Sequence, residues 1–337
     1  LQAGQGQAPA RQAVLKAGLP DSVGATTLNK MCGSGMKAVM LAHDALLAES
    51  ASVMIAGGME SMTNAPYLLD RARSGYRIGH AQIYDHMFLD GLEDAYDKGK
   101  LMGVFADDTA RKLQITRADQ DNFALASLSR AQRAGKDGDF KEEIAPLTIK
   151  AKTGDTAVSE DESPKKGKPD KIPQLKPAFT PDGTVTAATS SSISDGAAAL
   201  VLMRKSEAQK RGLKIIAEIR SHATHAQAPS EFTLAPIGAT RKALEKAGWS
   251  AKEVDLFEIN EAFAVVTLAA MRELSLPHEK VNVNGGACAL GHPIGASGAR
   301  IIVTLLSALE KRGLTRGVAS LCIGGGEAVA VALERAV

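Results

Sequence analysis

Cys32 is the first residue of the chain whose setting suits covalent chemistry. It stands in the segment NKMCGSG (29–35), between a short apolar stretch and a helix predicted over about 36–49. Free N–H groups and the dipole at a helix N-terminus favour a thiolate and can bind an oxyanion, so we expect this thiol to be more acidic than a free one. Most free cysteines are small buried apolar residues. The flanking glycines let a substrate approach the backbone, which favours a nucleophile.

A histidine and a second cysteine could move protons. His292 lies in GGACALGHPIGASG (285–298), where a His-Pro turn among glycines is held beside open space, and it is the best candidate base of the seven histidines. Cys322 ends a predicted strand that runs into the glycines 324–326. That arrangement presents a side chain and bare amides at a sheet edge. Cys288 has no such setting and is predicted to pack.

An amide completes the set. Asn260 opens the segment NEAFA (260–264) directly after a predicted buried strand, and it could be an ordinary N-cap and nothing more. Two thiols, one imidazole and one amide together suit acyl transfer through a thioester. One thiol would attack the acyl carbon, and the second would move a proton.

The elements that must position these residues follow an alternating pattern. Short apolar strands alternate with Ala-rich helices before about residue 64 and again from about 213, which indicates an α/β layered fold with buried sheets; one strand is predicted at 281–284. The part between them is predicted to be a loop-rich insertion, with an amphipathic helix near 117–134 and a basic stretch, PKKGKP (164–169). Residues 53–60 and 320–327 are both strands ending in glycines and an acid, so a duplicated unit with the active site between its halves is predicted.

Composition excludes several classes of protein. The 337 residues include 40 Lys and Arg against 38 Asp and Glu, too close to balance for a general attraction to nucleic acid or to an anionic membrane. No apolar run reaches the ~18 residues of a membrane span. The three cysteines form no CxxC pair, so we expect no metal site, no disulfide framework and a reducing, cytoplasmic compartment. Residues 1–11 read as the inside of a fold, so targeting is not readable from them.

Together these motifs resemble the thiolase family. The matching segments are NKMCGSG (29–35), GGMESM (57–62), NEAF (260–263), the Gly-His-Pro passage around His292 and CIGGG (322–326), in the family's order over essentially the whole chain. The resemblance implies the thiolase fold, two pseudo-symmetric layered α/β halves (αβαβα) with a loop-rich insertion. It assigns 1–64 plus 193–212 to the N-terminal half, 65–192 to the insertion and 213–337 to the C-terminal half. The strand-helix-strand with which the family begins is expected to be absent from this chain.

The resemblance also implies roles for single residues. Cys32 would carry the acyl group, His292 would activate it, and Cys322 would move the α-carbon proton. One oxyanion hole would combine His292 with a water held by Asn260, and the other the backbone N–H groups of Cys32 and Gly324. The residues expected along coenzyme A, the last two near its phosphates, are Ser191, Phe179, Met102, Leu92, Ala262, Phe263, Lys165 and Lys166.

The activity so implied is that of an acetyl-CoA C-acetyltransferase: ping-pong condensation of two acetyl-CoA to acetoacetyl-CoA and CoA, and the reverse thiolysis. Coenzyme A is then a substrate, no cofactor is expected, and the insertion would make the contacts of a homotetramer. The alternatives are a degradative 3-ketoacyl-CoA thiolase and a silent CoA- or lipid-binding relative. Cys32, His292 and Cys322 together argue against a silent relative, and Cys322 argues against a decarboxylating ketoacyl synthase.

Two departures from the family pattern concern the acyl chain. Leu101 stands where short-chain members carry His, and Phe232 lies in a segment that is rich in Met and Gly in those members. Both fall around the thioester. They leave the preferred chain length open, with acetoacetyl-CoA expected to be the best substrate.

Overall fold

The computed structural model describes residues 1–150, 152 and 154–336. Its helices are α1 Pro9–Lys16, α2 Ser34–Leu47, α3 Met102–Lys112, α4 Arg117–Asp137, α5 Ser163–Lys166, α6 Lys205–Lys210, α7 Ala235–Ala247, α8 Ala264–Leu274, α9 Ala287–Leu290 and α10 Ile294–Lys311. Its strands are β1 Val53–Ser61, β2 Tyr67–Leu68, β3 Tyr84–Asp85, β4 Leu147–Ile149, β5 Thr156–Val158, β6 Asp195–Met203, β7 Ala217–Ala226, β8 Leu256–Ile259, β9 Arg316–Ile323 and β10 Glu327–Arg335.

Two sheets form the framework. In the first, β1 and β6 pair antiparallel along their whole length, from Val53 opposite Met203 to Ser61 opposite Asp195. The second has the order β7-β10-β9-β8, with β10 antiparallel to both neighbours and β8 parallel to β9. The hairpins β2–β3 and β4–β5 stand apart from both sheets, in the insertion.

Helices α2 and α10 lie between the two sheets. They contact each other; α10 also contacts β1, β6 and β9, while α7 contacts β7 and β10. The pair is very close: a Cβ on Gly298 would lie 2.5 Å from the backbone nitrogen of Met36, and one on Gly35 would lie 2.8 Å from that of Ala299. In each half a central helix leads into a strand, α2 into β1 and α10 into β9. The layered α/β architecture predicted from the sequence is therefore confirmed.

The main apolar core fills the space between these layers. Fully buried side chains from α2, α10, β9 and β10 form one cluster, which includes Met36, Met40, Ile301, Leu305 and Leu321. At ~1.5–3 kcal/mol for each fully buried large apolar side chain, this cluster is the main force that fixes α2 against α10. It holds in place the segments that precede these two helices, and those segments carry Cys32 and His292.

One predicted strand was wrong. Residues 281–284 are not a strand: Val281 makes a single parallel bridge to Phe257, and Asn282 has φ 48°. The Asn282 side chain itself bonds the backbone N–H and C=O of Ile259, both at 2.8 Å, and so replaces a ladder partner. The amphipathic helix near 117–134 is confirmed as α4, which begins with a capping box formed by Thr116 and Asp119. In the part of the chain that the structure describes, no helix is long and apolar enough to cross a bilayer.

Candidate active site

A pocket of about 260 Å³ opens where the loops of both halves meet the insertion. Cys32, His292, Cys322 and Gly324 all line it. So do the following residues predicted to lie along coenzyme A: Ser191, Phe179, Met102, Leu92, Ala262 and Phe263. Residues from six separate parts of the sequence are thus brought to one cavity.

Cys32 sits in a short 3-10 turn, Met31–Gly33, that leads into α2. Met31 has φ 48°, in the left-handed region, so the chain turns sharply just before the thiol. The backbone N–H groups of Cys32 and Gly324 lie close enough to the Cys32 sulfur to lower the pKa of its thiol. Two N–H groups thus converge beside the reactive atom, which is what an oxyanion hole requires.

Burial raises the pKa of the Cys32 thiol to about 11, and the nearby carboxylate of Glu60 adds to the rise. The expectation of a more acidic thiol was therefore wrong. The two N–H groups do lower the pKa, but the loss of hydration of a thiolate in this setting outweighs them. Cys32 rests as a neutral thiol and needs a base at the moment of attack.

His292 is that base by its setting. Its Nδ1 lies 2.5 Å from Oγ of Ser297, and the Ser297 hydroxyl donates to the carbonyl of Pro293 at 2.9 Å. Because the serine hydrogen is used by Pro293, the network assigns the imidazole proton to Nδ1 and leaves a lone pair on Nε2. Burial, with the charge of Arg300 next, lowers the pKa of His292 to about 4, so the ring is neutral at physiological pH.

Asn260 directly follows β8 and does not cap a helix. Its backbone N–H donates to the carbonyl of Ser320 at 3.0 Å, and α8 begins only at Ala264. The N-cap interpretation was therefore wrong. The buried Asn260 side chain lies behind His292, with Nδ2 3.4 Å from Nδ1. Within the described residues neither Asn260 Oδ1 nor His292 Nε2 has a hydrogen-bond partner, so two polar atoms are left for a ligand or a water.

Cys322 lies near the end of β9, opposite Ala328 on β10, and is 1% exposed. Burial, with the nearby Cys32 as the second cause, raises the pKa of its thiol far above the ordinary value. Cys32 thus lies near enough to Cys322 to contribute to this rise. Cys322 therefore rests as a neutral thiol on the same cavity.

Residues of the insertion and of the segment before α8 form an apolar wall of the pocket. The backbone N–H and the hydroxyl of Ser191 both donate to the carbonyl of Ala262, at 3.0 and 3.1 Å. Phe179 meets Phe263 edge to face, with ring centroids 5.9 Å apart. Phe232 packs edge-on against the same Phe263 ring at 6.4 Å. These contacts fix the rings that line the entrance.

Lys165 and Lys166 are not brought into the pocket lining. Both lie in α5, with side chains 67% and 75% exposed. Lys165 pairs with Glu160, and Lys166 pairs with Glu162 at 2.7 Å. Such exposed pairs are weak, so an arriving phosphate could displace the carboxylates. A phosphate contact at these lysines stays a prediction.

Two buried polar residues were missed by the sequence analysis. Ser297, which is fully buried, fixes the His292 tautomer. Glu261, also fully buried, accepts from Ser127 Oγ at 2.7 Å, from Asn282 Nδ2 at 2.8 Å and from the N–H of Cys288 at 3.0 Å, so it anchors the loop that leads to His292. The one feature of the sequence that could have indicated Ser297 is its position, five residues after His292 and in the first turn of a helix.

The chain belongs to the thiolase family. The family model for the thiolase N-terminal domain matches residues 1–206, and the model for the thiolase C-terminal domain matches residues 213–335. Together they cover nearly the whole chain. The family resemblance drawn from the sequence motifs is thereby confirmed.

Curated relatives and solved structures agree with this assignment. An acetyl-CoA acetyltransferase of Chromobacterium violaceum is 50% identical over 337 residues, which cover 99% of this chain and 86% of the relative. The crystal structure of the Bacillus anthracis acetyl-CoA acetyltransferase matches with a TM-score of 0.96 at 42% identity, over 99% of this chain and 85% of that one. The Acat5 thiolase of Ascaris suum, in complex with coenzyme A, matches with a TM-score of 0.93 at 40% identity, over 99% and 85% of the two chains.

Proposed function

We propose that this chain is an acetyl-CoA acetyltransferase, an acyltransferase that condenses two acetyl-CoA into acetoacetyl-CoA and CoA and catalyses the reverse thiolysis. The observation that carries the proposal is that Cys32, His292 and Cys322 line one apolar pocket. A nucleophilic thiol, a neutral base and a second thiol are the groups that thioester exchange and α-proton transfer require. Relatives of that name at about half identity over the full chain support the same activity.

In the acylation half, His292 Nε2 takes the Cys32 proton as the sulfur attacks the acetyl-CoA carbonyl. The oxyanion of the tetrahedral intermediate is bound by the N–H groups of Cys32 and Gly324, which already converge on the sulfur. One such donor is commonly worth ~2.7–4 kcal/mol. The CoA thiolate then leaves, taking the proton back from His292, and acetyl-Cys32 remains.

In the condensation half, His292 Nε2 takes the proton of the neutral Cys322 thiol, and the Cys322 thiolate so formed removes a proton from the α-carbon of a second acetyl-CoA. The enolate oxygen is stabilised by the Nε2–H of protonated His292 and by a water held on Asn260 Oδ1, an atom with no hydrogen-bond partner among the described residues. The α-carbon attacks the acetyl-Cys32 carbonyl, and the Cys32 thiolate leaves. That thiolate takes the proton from His292 while Cys322 keeps the α-proton, so both thiols and the neutral imidazole are regenerated.

Coenzyme A and acetyl-CoA are the partners of this reaction. We propose that CoA lies along Ser191, Phe179, Met102, Leu92, Ala262 and Phe263, with Lys165 or Lys166 near its phosphates. Since a protein group is assigned to every proton transfer, we propose that no cofactor is needed. Three free cysteines support a reducing, cytoplasmic location.

We further propose that residues 65–192 make the contacts of a homotetramer. Exposed apolar side chains in that insertion support the proposal. Ile78, Ile83, Tyr67 and Tyr96 are 101%, 66%, 68% and 73% exposed, and such groups are common at interfaces between subunits.

The substrate is tested by CoA-dependent cleavage of 3-ketoacyl-CoA with four, six, eight and ten carbons. Leu101 and Phe232 both line the pocket, so they shorten the space beside the acyl chain. A methylene in such a pocket is worth only ~1–3 kcal/mol, so we expect acetoacetyl-CoA to be best and longer chains to decline gradually. Leu101→Ala should flatten the decline, and the exposed Leu69→Ala is the matched control. A specificity constant that rises toward ten carbons would identify a degradative thiolase instead.

A further inference from the structure

Two histidines and an aspartate meet on the surface, away from the pocket. His43 and Asp44 lie in the C-terminal half of α2, and His222 lies on β7, the edge strand of the second sheet. His222 Nε2 is 2.8 Å from Asp44 Oδ1, and His43 Nδ1 is 3.6 Å from the same oxygen. All three ligand atoms lie within 4.8 Å of one another.

These separations are close to those of ligands around a tetrahedral metal ion. Zn²⁺ binds His nitrogen and Asp oxygen at ~2.0–2.2 Å, which puts neighbouring ligand atoms about 3.4 Å apart. The observed separations of 2.8 and 3.6 Å bracket that value. The third pair, His43 Nδ1 and His222 Nε2, lies within 4.8 Å, so small rotamer adjustments would bring the three atoms onto one ion. Imidazole and carboxylate together suit Zn²⁺ and other late first-row divalent cations rather than Ca²⁺ or Mg²⁺.

A second observation points to a missing ligand. His43 Nδ1 is buried and has no hydrogen-bond partner among the described residues. Its ring meets that of His222 edge-on, with centroids 5.1 Å apart, so both imidazoles are held in place. The Asp44 side chain is 53% exposed, which leaves an entry path and room for a water as fourth ligand. The opposing charge nearby is Lys246 on α7, whose Nζ bonds the backbone carbonyl of His222.

We propose that His43, Asp44 and His222 bind one Zn²⁺ ion, which fastens α2 to the edge strand β7. None of the three lines the active-site pocket, so the ion takes no part in the acyl transfer. Helix α2 begins directly after the turn that carries Cys32, and the ion clamps the far half of that helix to the second sheet. This proposal departs from the expectation, drawn from the sequence, that the chain has no metal site. His222 is 178 residues from Asp44, a spacing in which no sequence motif is visible.

The test is titration of the full chain with ZnCl₂ by calorimetry, and with CoCl₂ by absorption spectroscopy. Thiolates are zinc ligands as well, so both titrations are repeated in Cys32→Ala to separate the proposed site from binding by the active-site thiol. The ligand variants are Asp44→Asn, which keeps the shape of the side chain, and His222→Gln. His80→Gln removes an exposed histidine elsewhere and is the matched control.

One ion per chain should bind in the wild type, in Cys32→Ala and in His80→Gln, with the strong visible absorption of tetrahedral Co²⁺. Loss of a group that only orients a ligand already costs about 10–100-fold in metal affinity, so each ligand variant should lose at least that much. Zinc should raise the melting temperature of the wild type and not that of Asp44→Asn. Unchanged affinity in both ligand variants, or binding that disappears with Cys32, would overturn the proposal. A ligand variant with a normal circular dichroism spectrum and no zinc affinity supports it whatever its stability.

Discussion

Replacing Ser297 by alanine should slow the acetylation of Cys32, although every side chain that lines the pocket stays unchanged. The serine Oγ lies 2.5 Å from His292 Nδ1 and donates its own hydrogen to the carbonyl of Pro293. In Ser297→Ala the imidazole loses the acceptor that keeps its proton on Nδ1. The tautomer with a free Nε2 lone pair is then no longer favoured, and the imidazolium formed during attack is left unpaired.

The size of the effect follows from the charge on that imidazolium. A hydrogen bond from a charged group contributes ~1.5–3 kcal/mol, and this one is fully made only when His292 carries the Cys32 proton. At 1.36 kcal/mol for each factor of ten, acetylation should slow by about 10- to 150-fold. The buried Nδ1–H of His292 also loses its acceptor, so the free energy of unfolding should fall by ~1–3 kcal/mol, although the Pro293 carbonyl keeps the N–H groups of Ala296 and Ser297.

The assay is the single-turnover release of CoA from acetyl-CoA, which reports acetylation before any carbon–carbon bond forms. Ser307→Ala is the matched control, because Ser307 lies on the same helix, α10, and its hydroxyl bonds the carbonyl of Asp139 at 3.5 Å. Ser307→Ala should acetylate at the wild-type rate. If Ser297→Ala did so too, within a factor of two and at every pH, the tautomer argument would be refuted.

Three further outcomes follow from the site and its charges. Cys322→Ala should still acetylate Cys32 yet lose condensation, since the α-proton has no acceptor; near-normal condensation would make the second thiol structural. Carbamidomethylation of Cys32, followed by mass spectrometry, should rise about tenfold per pH unit from pH 7 to 9, because burial raises the thiol's pKa to about 11; a plateau near neutrality would contradict this. Burial raises the pKa of the Glu258 carboxyl to about 8 in the folded state. The protonated carboxyl therefore makes its full contribution to stability below about pH 4.5. That contribution falls by ~1.4 kcal/mol per pH unit as the pH rises from there to about 8. Glu258→Gln should therefore unfold in more urea than the wild type at pH 8, whereas the exposed Glu245→Gln should not.

Much of the fold could be predicted because local pattern and packing agree. The central helices α2 and α10 are Ala-rich and begin after glycine-rich segments, and strands β9 and β10 are mostly apolar, so their place in the layers could be predicted. The strand expected at 281–284 failed because the Asn282 side chain takes over the pairing of Ile259, a long-range contact that leaves no periodic signal. The interpretation of Asn260 as a helix N-cap failed for a similar reason. Helix α8 begins only at Ala264, because Phe263 keeps an extended backbone and forms a β-bridge with Ser190.

In the candidate site too, some features could be predicted from the sequence and others could not. Cys32, His292 and Cys322 each stand beside a glycine-rich segment, a placement that is visible in the sequence. The thiol's pKa could not be predicted, because the helix terminus lowers it and the surrounding burial raises it, and only the structure shows how complete the burial is. Ser297 and Asn260 act through their position behind the imidazole, and such a position is not written in residue spacing.

The most direct test of the account is the intact mass of the protein after mixing with acetyl-CoA alone. The chain should gain one acetyl group, peptide mapping should place it on Cys32, and adding CoA should remove it as acetyl-CoA. Cys32→Ser should gain none on the same time scale, while Cys288→Ser, at a partly buried thiol that does not line the pocket, should behave as wild type. An acetyl group on any other residue, or turnover by Cys32→Ser at the wild-type rate, would contradict the central claim that Cys32 carries the acyl group.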